Sequence, residues 1–399
     1  MNKILFLLEF TPFESTMSGV RVSEIMKYLI NNGWVVFSFS CVNHGSVFKK
    51  YYKKHTKNFK FYLLSGKSYI NKNKIIKLIL KLILAFFALR YVKEIIVNNK
   101  INKIWISTPK IFPLFLAFIL KTFYFRKIEI VLEYRDVWSL NVLFSFSKYK
   151  RFILYNIEKI LISKVSKFIF ATSKVKETYL INFAKKIKAV EHGLILYTGF
   201  NPAYYKHNIV NYNKLVFTYS GSFDKERDPL FFLNALNDFF KNNSYDFTNV
   251  LRVNLIVNYF NFGVENFIKD SISKLEIKSS VKILKNIKHR KVINILDNSN
   301  IMLLICHNKG HEDSLPGKFS EYVGTRKNIL AISNDPLVIE AICNDRLGIL
   351  CNIGDYSRLY NILKEIYFKW STKNINYDGN YENYSVLERF KSLNNFLLN

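Results

Sequence analysis

Cysteine is scarce in this sequence. The four present, Cys41, Cys306, Cys343 and Cys351, are too few for a disulfide-stapled scaffold, and none belongs to a CxxC pair. Cys306 and Cys351 lie in apolar, strand-like runs, where small buried side chains in a reducing compartment are expected. Long uncharged runs are lacking as well. The most apolar segment, residues 75–97, is broken by Lys77, Lys81, Arg90, Lys93 and Glu94, whereas a spanning helix needs about 20 mostly apolar residues. The apolar start stops at Glu9 with no small-residue cleavage site after it. It reads as a first core strand rather than a signal peptide, and a cytoplasmic protein is expected. GxGxxG, GxSxG, HExxH and Asp-x-Asp patterns are missing too, so neither a metal nor another cofactor is expected. No collagen period, heptad run or solenoid repeat is visible.

Acidic residues are few: 30 Asp plus Glu face 59 Lys plus Arg, a formal net charge of +29. Such an excess invites a nucleic-acid-binding reading. The basic residues are dispersed, however, and no recognised DNA or RNA module occurs, so nucleic acid is not expected as a partner. What the chain does have is core. It is 49% hydrophobic and 16% aromatic over 399 residues, a length that suggests two domains.

Short β-rich runs alternate with helical patterns. Residues 3–10, 35–40, 103–107, 128–134 and 168–172 read as strands, with helices over 20–31 and 149–164 between them. Residues 198–214 read as a linker. Alternation then restarts at 215–220, 250–257, 281–284, 301–306, 328–333 and 348–352. This is the pattern of βαβ units and parallel sheets. We therefore expect an α/β fold of two doubly wound, Rossmann-like domains facing an interdomain cleft, with ligands at the carboxyl ends of the strands.

Four strand-end segments carry candidate chemistry. Ser18, Gly19 and Arg21 open a helix after the first strand, where free N–H groups suit an anion or a sugar hydroxyl; Ser18 as a plain helix cap is the alternative. The run Glu133-Tyr134-Arg135-Asp136-Val137-Trp138 follows a buried strand; Asp136 suits a base and Arg135 a phosphate holder or an orienter of Asp136. Gly221 and Ser222 close the first strand of the second half, and Lys225 or Arg227 beyond them suits a diphosphate. Asp313-Ser314-Leu315-Pro316-Gly317-Lys318-Phe319-Ser320-Glu321-Tyr322 is the most informative stretch. Pro316 suits a first helical turn. The N–H groups around Gly317 and Lys318 would face a phosphate, and Glu321 could accept two ribose hydroxyls. It is no P-loop, because Gly310 and Gly317 stand too far apart and Phe319 occupies the magnesium-holding position.

In this order the segments resemble the GT-B glycosyltransferases, in particular the family-4-like group that builds bacterial surface polysaccharides. Tyr134-Arg135-Asp136-Val137-Trp138 is similar to that group's RDxW motif, and Pro316 to Tyr322 to its PGKxxEY motif. Gly199-Phe200-Asn201 resembles the Gly-Phe-Asp that closes its first domain. The resemblance implies an acceptor-side domain over residues 1–205, a nucleotide-sugar domain over 206–368, and a segment 369–399 that crosses back. It implies transfer of a sugar, with retention, from a nucleotide-diphosphate sugar (UDP-linked is expected) to an acceptor hydroxyl. The acceptor would be a lipid-linked glycan of capsule, O-antigen or exopolysaccharide synthesis. Glu321 would hold the ribose and Lys318 and Gly317 the phosphates, while Gly221, Ser222 and one of Lys225 and Arg227 close the site. Asp313 would reach the sugar, and Ser18, Gly19, Arg135 and Asp136 would face the reacting groups. A nucleotide-sugar epimerase of the same fold is the alternative.

The charge then acquires a second reading. Lys49, Lys50, Lys53, Lys54, Lys57 and Lys60 precede the apolar segment 75–97, at whose start Lys74, Lys77 and Lys81 share one helical face. An outer helix of an α/β domain and an interfacial helix on an anionic membrane both fit. Each lysine near an anionic leaflet contributes about 1 kcal/mol, so a peripheral position on the inner face of the membrane is expected.

Overall fold

The run KILFLL is apolar at every position but the first, as a strand covered on both faces must be. In the computed structural model it forms β1 (Lys3–Leu8), whose last five residues are buried. The structure describes residues 1–10, 12, 17–42, 58–65, 74–108, 112–140, 147–207, 212–260, 263–307 and 315–399. They form two compact units, Met1–Tyr197 with Phe390–Asn399, and Thr198–Arg389.

The first unit carries β2 (Val35–Val42), β3 (Phe59–Ser65), β4 (Lys103–Ser107), β5 (Glu129–Tyr134), β6 (Lys167–Phe170) and β7 (Leu194–Ile195). With β1 they make one sheet in the order β3-β2-β1-β4-β5-β6-β7, parallel throughout. Its helices are α1 (Met17–Asn31), α2 (Lys74–Asn99), α3 (Phe112–Ile119), α4 (Lys148–Ile162) and α5 (Ser173–Phe183). Crossovers between parallel strands are right-handed. Helices α2 to α5 all advance the chain in one direction across the sheet and so lie on one face, while α1 advances it the other way and lies opposite. The segment read as helix or membrane surface is α2. Ala88, Val92, Ile95 and Ile96 in its second half belong to the core.

The second unit's strands are β8 (Leu215–Phe223), β9 (Leu251–Phe260), β10 (Val281–Lys285), β11 (Ile301–Ile305), β12 (Asn328–Ile332) and β13 (Gly348–Cys351). They run parallel in the order β10-β9-β8-β11-β12-β13. The helices are α6 (Leu230–Asn242), α7 (Phe247–Val250), α8 (Val264–Ser273), α9 (His289–Asp297), α10 (Gly317–Gly324), α11 (Pro336–Asn344), α12 (Tyr356–Ser371) and α13 (Val386–Arg389). Strand order reverses between β1 and β4 in the first unit and between β8 and β11 in the second, the places where such sheets bind ligands.

The α/β class and the two parallel sheets are as the alternation indicates. Strands β3 and β7 are additions, and residues 198–214 do not begin as a loose linker. Phe200 N donates to Tyr384 O (2.9 Å) and Val386 N to Phe200 O (2.8 Å), so the start of the second unit lies beside its end. The last helix, α14 (Leu393–Leu398), belongs to the first unit. Trp34, fully buried, donates from Nε1 to Asn394 Oδ1 at 2.8 Å. Lys167 Nζ donates to the carbonyls of Phe396 (2.9 Å) and Leu397 (3.2 Å), a cation where unpaired helix carbonyls need one.

Cys306 and Cys351 are buried and Cys343 is exposed; burial pushes the Cys351 thiol up to about 11. Among the described residues no helix is long and apolar enough to cross a membrane. One glycine is fixed by close approach: a Cβ on Gly348 would lie 2.1 Å from Ile329 O, inside the β12–β13 pairing. Gly348→Ala should cost about 1–3 kcal/mol, as overpacking does. Denaturant melts would read it, and an unshifted midpoint would contradict the register.

Candidate functional site

Each unit gathers its candidate residues at its own switch point. In the second unit, β8 ends in a bulge between Gly221 and Phe223 that interrupts its pairing with β9. Helix α10 then starts at Gly317 behind Pro316, and among the described residues no side chain caps its first turn. Unpaired N–H groups at a helix start attract anions.

Lys318 is the second residue of that helix and is only 9% exposed. Its Nζ lies 3.7 Å from the centroid of the Tyr219 ring and 3.4 Å from Ile305 O. A Cβ on Gly221 would come 3.0 Å from Tyr219 Oη and 3.5 Å from this ammonium, so glycine leaves the space open. Among the described residues no carboxylate forms an ion pair with Lys318. Desolvation, reinforced by the Arg227 charge, holds its pKa well below the usual lysine range.

Arg227 supplies the second cation. Its Nη2 donates to Ser222 Oγ at 2.8 Å and stands 3.5 Å from Asp224 Oδ2, while its buried Nε has no hydrogen-bond partner among the described residues. Lys225 sits exposed in the intervening turn. Asp224 also pairs with His307 Nε2 at 2.8 Å. Burial pushes its carboxyl up, but the hydrogen bond and charge of His307, with Arg227, bring it net below the usual range. Tyr322 Oη accepts from Ser220 N at 2.7 Å, which ties α10 to the end of β8. One turn into α10, Glu321 Oε1 lies 2.6 Å from His289 Nε2. Gly221, Ser222, Arg227, Gly317 and Lys318 thus converge at the ends of β8 and β11. Asp313 lies outside the described residues, as do Lys49, Lys50, Lys53, Lys54 and Lys57.

In the first unit, Arg135 gathers three strand ends. Its Nε donates to Thr108 O beyond β4 (2.6 Å), its Nη1 to Ser18 Oγ, and its guanidinium stands 5.5 Å from the Phe10 ring centroid beyond β1. Ser18 therefore lies inside α1, facing Arg135 rather than capping the helix. Burial lowers the Arg135 pKa, opposed by the charges of Glu133 and Asp136. Asp136 is exposed and makes no hydrogen bond among the described residues. Arg21 is deeper: Nε meets Glu133 Oε1 at 2.7 Å and Nη2 meets Leu196 O at 2.6 Å. With Arg21 5% and Glu133 0% exposed, this pair is framework, and Gly19 is buried beside it.

The same loop rests on Glu158, a residue the sequence did not single out. This carboxylate, 0% exposed, accepts from Tyr134 Oη and Tyr179 Oη on Oε1, both at 2.6 Å. Its Oε2 accepts from Ser139 N (3.1 Å) and Ser139 Oγ. Burial and the neighbouring carboxylate raise both tyrosine pKa values well above normal. His289, His307 and Asp224 were likewise missed, although histidine just past a strand end was a usable signal. Among the described residues no cluster of three or more His, Cys, Asp or Glu is placed to hold a metal ion.

No family model matches the chain, and no curated protein matches it significantly in sequence. Solved structures do match in fold. A glycosyltransferase from Rickettsia africae is similar at TM-score 0.68 and 14% identity, over 99% of this chain and 97% of that one. Anabaena HepE, solved in complex with UDP-glucose, is similar at 0.63 and 14%, over 99% of both chains. The lipopolysaccharide outer core galactosyltransferase WaaB is similar at 0.59 and 13%, again over 99% of both. The chain has the two-sheet α/β fold of the GT-B glycosyltransferases.

Proposed function

We propose that this protein is a retaining, family-4-like glycosyltransferase that moves a sugar from a nucleotide-diphosphate sugar, UDP-linked by preference, to an acceptor hydroxyl. One observation carries the reading: Lys318, buried and ion-paired to no carboxylate among the described residues, stands with Arg227 at the start of α10, at the switch point of the second sheet. A buried, uncompensated cation is costly unless a ligand neutralises it. A diphosphate does so, and its charge grows as the sugar leaves. Positioned cations and N–H groups stabilise that growth, so the reading needs no metal. Glu321, held by His289, would accept the ribose hydroxyls. In the first unit, the exposed Asp136, next in sequence to the anchored Arg135, would take the acceptor's proton.

The acceptor in this reading is a lipid-linked glycan of capsule, O-antigen or exopolysaccharide synthesis, met at the inner face of the membrane. The fold shared with WaaB supports this choice, and the UDP-glucose bound to HepE supports the donor. Glu321→Ala should raise the donor KM about tenfold or more, the loss expected for hydrogen bonds to a charged group, with an unchanged melting temperature. Unchanged transfer kinetics would remove Glu321 from the site. A thermal-shift panel of nucleotide sugars tests the whole reading, because a ligand bound at a hundred times its Kd stabilises by about 2.7 kcal/mol. No shift with any nucleotide sugar would overturn it. Donor epimerised without acceptor would favour the epimerase.

A further inference from the structure

Helix α4 is apolar on two faces, and its fold uses one of them. Leu161 and Ile162 point into the core beside Glu158. On the other side Tyr149, Phe152, Ile153, Ile157 and Ile160 are exposed, Tyr149 by 76% and Phe152 by 67%. At 3.6 residues per turn these five fall in one stripe about 140° wide. Lys148 and Lys159 border it on one side and Lys150 on the other. The helix's one acidic residue, Glu158, is buried, so no negative charge faces outward from α4. A side-chain hydrogen bond with Lys186, and that lysine's charge, lower the Lys159 pKa.

The neighbouring helices continue this surface. Phe123, just beyond α3, is 72% exposed, and Phe86 on α2 is 67% exposed. Right-handed crossovers put α2, α3, α4 and α5 on one side of the first sheet, so these exposed residues belong to helices that cover the same sheet face. Contiguous apolar surface of this kind marks a docking site on a soluble protein. An apolar stripe bordered by lysine, with aromatic residues in it, is the chemistry that enters the headgroup region of an anionic bilayer.

We infer that the outer face of α4, continued by α2 and α3, is a docking surface for an anionic phospholipid bilayer. It stands on this surface alone and does not depend on the donor-site reading. Flotation of the full chain with vesicles tests it, using phosphatidylcholine alone and phosphatidylcholine mixed with phosphatidylglycerol. The expected result is binding to the mixed vesicles about tenfold or more above the neutral ones. Both Phe152→Glu with Ile160→Glu and Lys148→Glu with Lys159→Glu should reduce that binding about tenfold or more, since each lysine contributes about 1 kcal/mol. All four positions lie on the outer side of α4, so melting temperature and UDP-sugar binding should not move. Equal binding to both vesicles, or unchanged binding by the variants, would overturn the proposal. So would a dimer in sedimentation velocity that the Glu variants dissolve, in a chain that does not float with vesicles.

Discussion

Replacing Lys318 by methionine should raise the stability of the ligand-free protein while weakening nucleotide-sugar binding about thirty- to a hundredfold. The two effects have opposite signs because one charge causes both. An ammonium 9% exposed, ion-paired to no carboxylate among the described residues, loses its hydration and gains the Tyr219 ring and the Ile305 carbonyl in return. An apolar side chain of similar volume removes that cost. With a diphosphate bound, the same charge gains a charge-assisted contact of about 2–3 kcal/mol, which methionine forfeits.

The pH dependence follows in sign. The folded-state pKa of Lys318 lies below its ordinary 10.5, so the unfolded chain holds the proton more tightly. Below the folded pKa both states are charged and the burial penalty applies in full. As pH rises from that value towards 10.5, the folded state sheds its proton first and the penalty is relieved. The advantage of Lys318→Met over the parent should therefore be largest at low pH and shrink on alkalinisation. Paired denaturant melts across pH would show this. A constant gap, or a variant less stable than the parent, would refute the account.

Glu158→Ala should be the most damaging single change in the first unit. It strands four donors in a fully buried site, namely the two tyrosine hydroxyls and the amide and hydroxyl of Ser139. Breaking buried polar clusters costs about 3–5 kcal/mol. For a unit of this size that corresponds to a melting temperature lower by about 10 °C. Glu158→Gln should fall between, because its amide nitrogen cannot accept. The amides of residues 134–139 should also exchange faster in Glu158→Ala, since Ser139 and the tyrosines fix the turn that presents Arg135 and Asp136. A melting temperature within about 2 °C of the parent would show that Glu158 does not hold the loop.

These two residues mark how far the sequence could be read. The fold was legible because alternating apolar runs follow from two-sided burial. β3 escaped because Phe59–Ser65 follows a run of lysines that masks it, and β7 because it has two residues. Lys318 was legible as a phosphate group from its place after Pro316. Its burial was not, since that depends on Tyr219 and Ile305 from two other strands. Glu158 left no trace at all. Its partners stand 19 to 24 positions away, and helical period says which residues share a face without saying what faces them. The same ambiguity hid the outer stripe of α4, a segment that read only as a helix. Arg135 was read as a phosphate holder or an orienter of Asp136; its contacts to Thr108 and Ser18, and the exposure of Asp136, could not be read from sequence.

The pairing of Phe200 with Ser385 also sets an order of assembly. With its entry and exit strapped together, the second unit is an insertion within the first, closed by its own backbone. A ribosome delivers that insertion complete before it delivers Phe390–Asn399. Until those residues arrive, Trp34 waits for a partner 360 positions downstream, and the carbonyls that Lys167 will bind do not yet exist. The unit whose synthesis begins first is thus the last to finish folding, and truncation of the final helix should leave the inserted unit folded while loosening the one that surrounds it in sequence.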